Sequence, residues 1–190
     1  GVNLSGAILD GTNFNKADLS GQDFTVISKA SFEGVVFIQA NLSNSNFEGV
    51  DLSPKQEYSR TFENKAHLII GVTQSPEAQQ NIKEDLFGKV APVLILSAET
   101  RGNDLAVTWV FFNNFAGANL ENANLKDTSL RYAIFYNATL TNANLSGADL
   151  KNTFFGGADL SNANFSGATG EMHIDENTIL KCVGHPICNS

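Results

Sequence analysis

Few side chains in this sequence could do chemistry, and most of them lie near the C-terminus. Cys182, His185 and Cys188 stand in a Cys-x2-His-x2-Cys spacing, with His173 nine residues before Cys182 and His67 far upstream. Thiolate and imidazole are ligands that zinc accepts, but this spacing is not that of a zinc finger, and no metal or other cofactor is expected. Two readings of the cysteine pair stay open: a disulfide closing one small loop in an oxidising compartment, or two free thiols in a reducing one. Asp175 and Glu176 beside His173 could exchange protons, yet their place before the strand-like Thr178-Ile179-Leu180 reads better as a solvated turn. No nucleophile, base and orienting group converge, and Ser146, Ser161 and Ser166 occupy outward polar positions. The chain is not expected to be an enzyme.

The elements that would hold these residues follow from one periodicity. Leu or Phe recurs at every fifth residue, with a small residue two positions earlier. A first run has centres at Leu4, Leu9, Phe14, Leu19 and Phe24; three extra residues, 27–29, then shift the phase. A second has Phe32, Phe37, Leu42, Phe47 and Leu52, and a third has Phe115, Leu120, Leu125, Leu130, Phe135, Leu140, Leu145, Leu150, Phe155, Leu160 and Phe165. From Ala118 onward the small positions of the third run are Ala or Thr without exception.

A period of five matches neither the 3.6 of a helix nor the 2 of a flat strand, so the chain must turn with the repeat. If each pentapeptide forms one side of a square, the large centre and the small residue before it point inward, and the other three positions face solvent. The position just before the centre is largely Asn or Asp, as in Asp18, Asn41, Asn119, Asn144 and Asp159. The position two after it is often Gly, as at Gly21, Gly49 and Gly147, which suits a corner with positive φ. Alternating large and small inward residues fills a narrow shaft without voids.

Net charge is −8, with 12 Lys and Arg against 20 Asp and Glu, which argues against direct binding of nucleic acid. The longest apolar stretch, residues 90–98, contains Pro92 and is too short to span a bilayer, and the N-terminus lacks the features of a signal peptide. The only methionine is Met172, so the chain is expected to be a domain of a longer polypeptide, reaching a membrane only through a segment outside it.

The tandem Ala118-Asn119-Leu120, Ala123-Asn124-Leu125, Ala143-Asn144-Leu145, Ala148-Asp149-Leu150 and Ala158-Asp159-Leu160 resembles the A-(D/N)-L-x-x consensus of the pentapeptide-repeat proteins. That resemblance implies an all-β fold, a right-handed quadrilateral β-helix with four pentapeptides per coil and coils about 4.8 Å apart. It implies repeat coils at 1–54 and 113–169 and a C-terminal cap or tail at 170–190. Residues 55–112 leave the register and read as a small α+β insert. Its expected elements are a strand at 67–72, a helix at 75–87 that follows Ser75-Pro76-Glu77, and strands from Val93 to Ser97 and through Leu105, Val107, Trp109 and Phe111 after an Arg101-Gly102-Asn103-Asp104 turn. Trp109, Phe111 and Phe112 suit a buried seam as well as a binding patch.

Two functions follow from the resemblance. One is a non-catalytic scaffold for protein–protein interaction or positioning; cyanobacterial members of this kind carry repeats behind a membrane-embedded portion and serve the localisation of heterocyst glycolipids. The partner is unspecified. The other is an acidic mimic of duplex DNA that binds gyrase. The charge partition disfavours mimicry: residues 1–52 carry −4, but 113–170 carry four acids and three bases, a net of −1. A DNA mimic needs a continuous field.

Overall fold

A computed structural model describes residues 3–27, 32–64 and 93–189. The strand expected at 67–72, the helix expected at 75–87 and His67 lie outside the described residues. The chain divides into two compact units, residues 1–53 with 112–190, and residues 54–111.

The first unit is a right-handed quadrilateral β-helix. Parallel bridges connect Asn13 to Val36, Val36 to Asn114, Asn114 to Ile134 and Ile134 to Phe154, and three further series run up the other sides. Between regular coils the step is 20 residues, as from Asn124 to Asn144 and on to Asn164. From Asp18 to Asn41 it is 23, which absorbs the three extra residues at 27–29. From Asn46 to Asn124 it is 78, and removing the 58 residues of 54–111 again leaves 20. The excursion therefore leaves and re-enters the solenoid without a slip in register, and the coils at 3–53 and 112–169 form one continuous stack.

One pentapeptide shows why the repeat has the composition it has. In Ala143-Asn144-Leu145-Ser146-Gly147, the Ala143 N–H closes the preceding turn onto Leu140 O at 3.0 Å. Asn144 N–H donates to Ala123 O of one neighbouring coil, while Leu145 and Gly147 N–H donate to Asn164 O and Ser166 O of the other. That leaves Ser146 N–H, which donates to the Oδ1 of Asn144 itself at 3.2 Å. All five N–H groups are thus satisfied, and the fifth only because the residue before the centre carries a side-chain oxygen two residues back from it. Asp18, Asn41, Asn46, Asn119, Asn124, Asp149, Asp159 and Asn164 make the same local bond. The corners have positive φ at the position two after the centre, taken by Gly147 (φ 71°) or by Asn142 and Asn162 (φ 59° and 58°). With the turn bond they have type II geometry, which admits Gly or Asn there.

The shaft is filled by ladders of identical or similar centres. Phe14, Phe37, Phe115, Phe135 and Phe155 form a continuous column with ring centroids 5.4, 4.8, 4.8 and 5.1 Å apart, all nearly parallel. Leu19, Leu42, Leu120, Leu140 and Leu160 line the next side, followed by Phe24, Phe47, Leu125, Leu145 and Phe165 and then by Leu52, Leu130 and Leu150. Leu4, Leu9 and Phe32 belong to the same core. From the second coil onward every centre is essentially inaccessible, at about 1.5–3 kcal/mol of burial per side chain.

Residues 170–189 continue this stack instead of trailing from it. Strand β5 (Met172–His173) pairs in parallel with β4 (Thr153–Phe154), Ile179 bridges Asp159, and Val183 bridges Asn164. The coil ends in a 3-10 turn at Pro186–Asn189. The β4 and β5 labels follow those of the second unit, a three-stranded antiparallel sheet of β1 (Tyr58–Phe62), β2 (Val93–Arg101) and β3 (Asp104–Phe111) in the order β1-β3-β2. A bulge lies between Ile95 and Ser97. Strand β1 has no sequence expectation, because its YSRTF is polar along most of its length.

Candidate functional site

Among the described residues, the cysteines, His173, His185 and Asp175 are each occupied by a structural task. Cys182 and Cys188 form a disulfide, with Cα atoms 5.0 Å apart, that clips the end of the last coil. His173 stacks on Phe154 at 4.6 Å between ring centroids, and His185 lies 6.4 Å from Phe165 while its Nδ1 accepts from Ile187 N–H. The two imidazoles meet different rings, and among the described residues no three His, Cys, Asp or Glu side chains gather closely enough to hold a metal.

The carboxylate of Asp175 accepts from Gly157 N–H at 2.9 Å and also from Asn177 N–H and the Thr178 hydroxyl. These bonds, the one from Gly157 first, hold it below the usual carboxylate range. It braces the last coil against the one before it. On another corner, Lys126 donates to Glu48 across two coils at 3.0 Å, which lowers the Glu48 pKa and raises that of Lys126.

Asn113 is a residue that the periodicity does not reveal. It is 1% exposed, its Oδ1 accepts from Val35 N–H at 2.7 Å, and its Nδ2 donates to Leu52 O at 2.8 Å. It stitches the coil together at the point where the chain departs after Ser53 and returns at Phe112. A signal was present: Asn113 stands where the repeat calls for a small apolar residue.

Of the two readings of Trp109, Phe111 and Phe112, a buried seam or a binding patch, their packing favours the seam. Trp109 is 8% exposed, lies 5.9 Å from the Tyr58 ring and packs with Val93, Ile95, Leu105 and Val107. Phe111 meets Tyr58 edge to face at 5.1 Å, and Phe112 is 3% exposed and belongs to the solenoid unit. Aromatic area of this size is stabilised by burial more than by display. The opposite face of the sheet holds a shallow depression of about 340 Å³ lined by Ser59, Thr61, Ser97 and Thr108, with Glu99 paired to Arg101 at 3.0 Å.

The outer sides of the solenoid differ from one another. One is a ladder of amides in which Asn46 donates to Asp23, Asn124 to Asn46, Asn144 to Asn124 and Asn164 to Asn144, at 3.1 to 3.5 Å. A second carries Asp18, Asn41, Asn119, Thr139 and Asp159, and a third Asp51, Ser129, Asp149 and Thr169. The fourth, over the phenylalanine column, carries Asn13, Val36, Asn114, Ile134, Phe154 and His173, with Ile38 and Tyr136 on the turns that follow Phe37 and Phe135. Reading the repeat in fours, by coil, separates this side from the others; reading it in fives hides it. No helix among the described residues is long and apolar enough to cross a membrane.

Comparison with known proteins follows the fold. The sequence pattern of pentapeptide repeats matches in eight copies over residues 1–25, 23–53, 114–147 and 140–169, more than half of the chain. Among proteins of curated function, none matches the sequence. Solved structures that resemble it include a trypsin-treated QnrB1, a plasmid-mediated fluoroquinolone resistance protein, at 16% identity and a TM-score of 0.48, covering 85% of this chain and 52% of that one. The chain thus spans about half the length of that relative. Others are Rfr23 from the cyanobacterium Cyanothece 51142 (21% identity, 89% and 88% covered, TM-score 0.33) and HetL, involved in heterocyst differentiation regulation in Nostoc sp. strain PCC 7120 (17% identity, 90% and 63% covered, TM-score 0.22). With the repeat matched over most of both solenoid stretches and the same coil-to-coil bonds recurring through them, the chain belongs to the pentapeptide-repeat family.

Proposed function

We propose that the chain is a non-catalytic solenoid scaffold that presents its outer sides to a protein partner, as an interaction or positioning domain of a larger, membrane-anchored protein. The observation that supports this is the engagement of Cys182, Cys188, His173, His185 and Asp175 in holding the last coils. The disulfide clips the last coil, Asp175 braces it, and His173 is stacked on Phe154. What is left to act is surface, repeated at regular spacing on a rigid frame. The alternative, a gyrase-directed mimic of DNA, is disfavoured by the amide ladder, where only Asp23 carries charge, and by the Lys126–Glu48 pair, which cancels one of the remaining acids.

The test is photo-crosslinking in native cell extract from probes placed at outward solenoid positions, with mass spectrometry of the adducts, beside an immunoblot of fractionated cells. One saturable protein adduct and a band above 20.4 kDa in the membrane pellet are expected. No saturable adduct, or inhibition of gyrase supercoiling by the purified chain, overturns the scaffold reading, and a soluble band near that mass overturns the anchoring.

A further inference from the structure

We propose that the side of the solenoid over the phenylalanine column is the docking surface, and that it takes an extended protein segment in which apolar and acidic residues alternate. The inference rests on the scaffold reading and names the surface and the chemistry of its partner.

On the other three sides the residue before the centre is mostly Asn, Asp, Ser or Thr, and where it is Asn or Asp its oxygen satisfies a turn N–H. On this side Asn13 and Asn114 keep the local bond, but Val36 on one side of Asn114 and Ile134 and Phe154 on the other take that position, so the N–H groups of Ile38, Tyr136 and Gly156 have no such oxygen beneath them. The sequence gives up a stabilising bond at three coils; Val36 is itself buried, and the half-buried Ile134 and Phe154 place apolar area on the outside in return. Core packing does not ask for it, since the centres beneath are already buried phenylalanines. The outcome is a continuous external row: Tyr136 lies 6.1 Å from Phe154, which stacks on His173, and Ile174 follows. Tyr136 and Ile174 remain 44% and 38% exposed. Gly156 leaves the row flat, because a Cβ there would meet the Asp175 carboxylate at 2.8 Å and the Tyr136 ring at 3.0 Å; that carboxylate, at the end of the row, is bonded to Gly157 N–H and the Thr178 hydroxyl.

Charge selects the partner. The turns that lead into Ile134 and Phe154 carry Arg131 and Lys151, in adjacent coils joined by the bond from Tyr132 N–H to Lys151 O. Of the three basic residues in 113–170, Lys126 is paired with Glu48 and Asp127, whereas Arg131 and Lys151 have no ion pair among the described residues. Two uncommitted cations one coil apart along the edge of an apolar row, in a chain of net charge −8, favour a segment that sets carboxylates at that edge and apolar side chains on the row.

The experiment is fluorescence anisotropy with two labelled ten-residue peptides, one alternating Leu and Phe with Glu and one alternating them with Lys, on the full chain. The Glu peptide is expected to bind roughly tenfold tighter than the Lys peptide. R131E/K151E is expected to reverse that order, and Tyr136→Ser with Phe154→Ser to weaken both, with unchanged circular dichroism for each variant. Equal binding of the two peptides, an order unaffected by charge reversal, or tighter binding to phosphatidylglycerol vesicles than to the Glu peptide overturns the proposal. So does a dimer in sedimentation that the same variants dissolve, since the row then meets a second copy. If crosslinking captures a partner that survives R131E/K151E and the paired serine variant, the surface is misassigned while the scaffold reading stands; with no partner captured at all, the scaffold reading itself fails.

Discussion

Replacing Asn113 by Ala removes two hydrogen bonds from a site with no access to solvent. The bonds, at 2.7 and 2.8 Å, satisfy the N–H of Val35 and the carbonyl of Leu52, both residues 0% exposed. An unsatisfied buried backbone group costs about 1–3 kcal/mol, so the pair costs roughly 2–6 kcal/mol. Thr128→Val is the internal comparison. The Thr128 hydroxyl donates to Phe47 O at 2.8 Å, but that carbonyl also accepts from Val50 N–H. Losing one of two bonds to the same oxygen should cost about 1 kcal/mol. Urea unfolding followed by far-ultraviolet circular dichroism measures the two side by side. Asn113→Ala is expected to lose at least twice the stability of Thr128→Val; an equal or smaller loss would refute the argument that Asn113 holds the coil at the excursion.

Three further outcomes are expected. Deleting residues 54–111 and joining Ser53 to Phe112 should leave a folded solenoid, because the step from Asn46 to Asn124 then becomes the regular 20; loss of the β signal on deletion would show that the excursion is part of the frame. Phe135→Ala, in the middle of the column with neighbours at 4.8 and 5.1 Å, should cost about 3–5 kcal/mol, read as a drop in urea midpoint. The carboxylate of Asp175 titrates lower in the folded state than its ordinary value of 3.8, so its contribution is present above that value and fades as pH falls through the folded one. The difference in Tm between the parent and Asp175→Asn should therefore shrink below about pH 3.8; parallel curves through that range would sink the assignment.

How far the sequence leads depends on whether a residue's neighbour is set by the repeat. Leu145 and Ala143 could be placed inward because every fifth and third residue shares their surroundings, and Gly147 could be placed at a corner for the same reason. The role of Asn144 was half legible: its exposure follows from the period, but its bond to Ser146 N–H requires knowing which donor the coil leaves unsatisfied. That Asn113 is out of place in a small apolar slot was legible, but its role was not, since its partners, Val35 and Leu52, are 78 and 61 residues away and meet it only once the excursion closes. The outward apolar row was hidden for another reason. Val36, Ile134 and Phe154 look like scattered exceptions along the chain and line up only when the coil length, 20, is imposed on the repeat length.

The return of the chain in register also sets an order of events during synthesis. A regular coil gains its upper neighbour once about 20 more residues emerge, but the coil ending at Ser53 must wait for the whole of 54–111. At translation rates of about 5–20 residues per second, the carbonyls of Asn114's eventual partners stand unpaired for roughly 3–12 seconds. In that interval the nascent chain presents an open strand edge over a half-filled shaft, the kind of surface that chaperones and neighbouring nascent chains bind. Codon choice and chaperone supply across the excursion would then govern the yield of this protein more than any substitution in its later, self-templating coils.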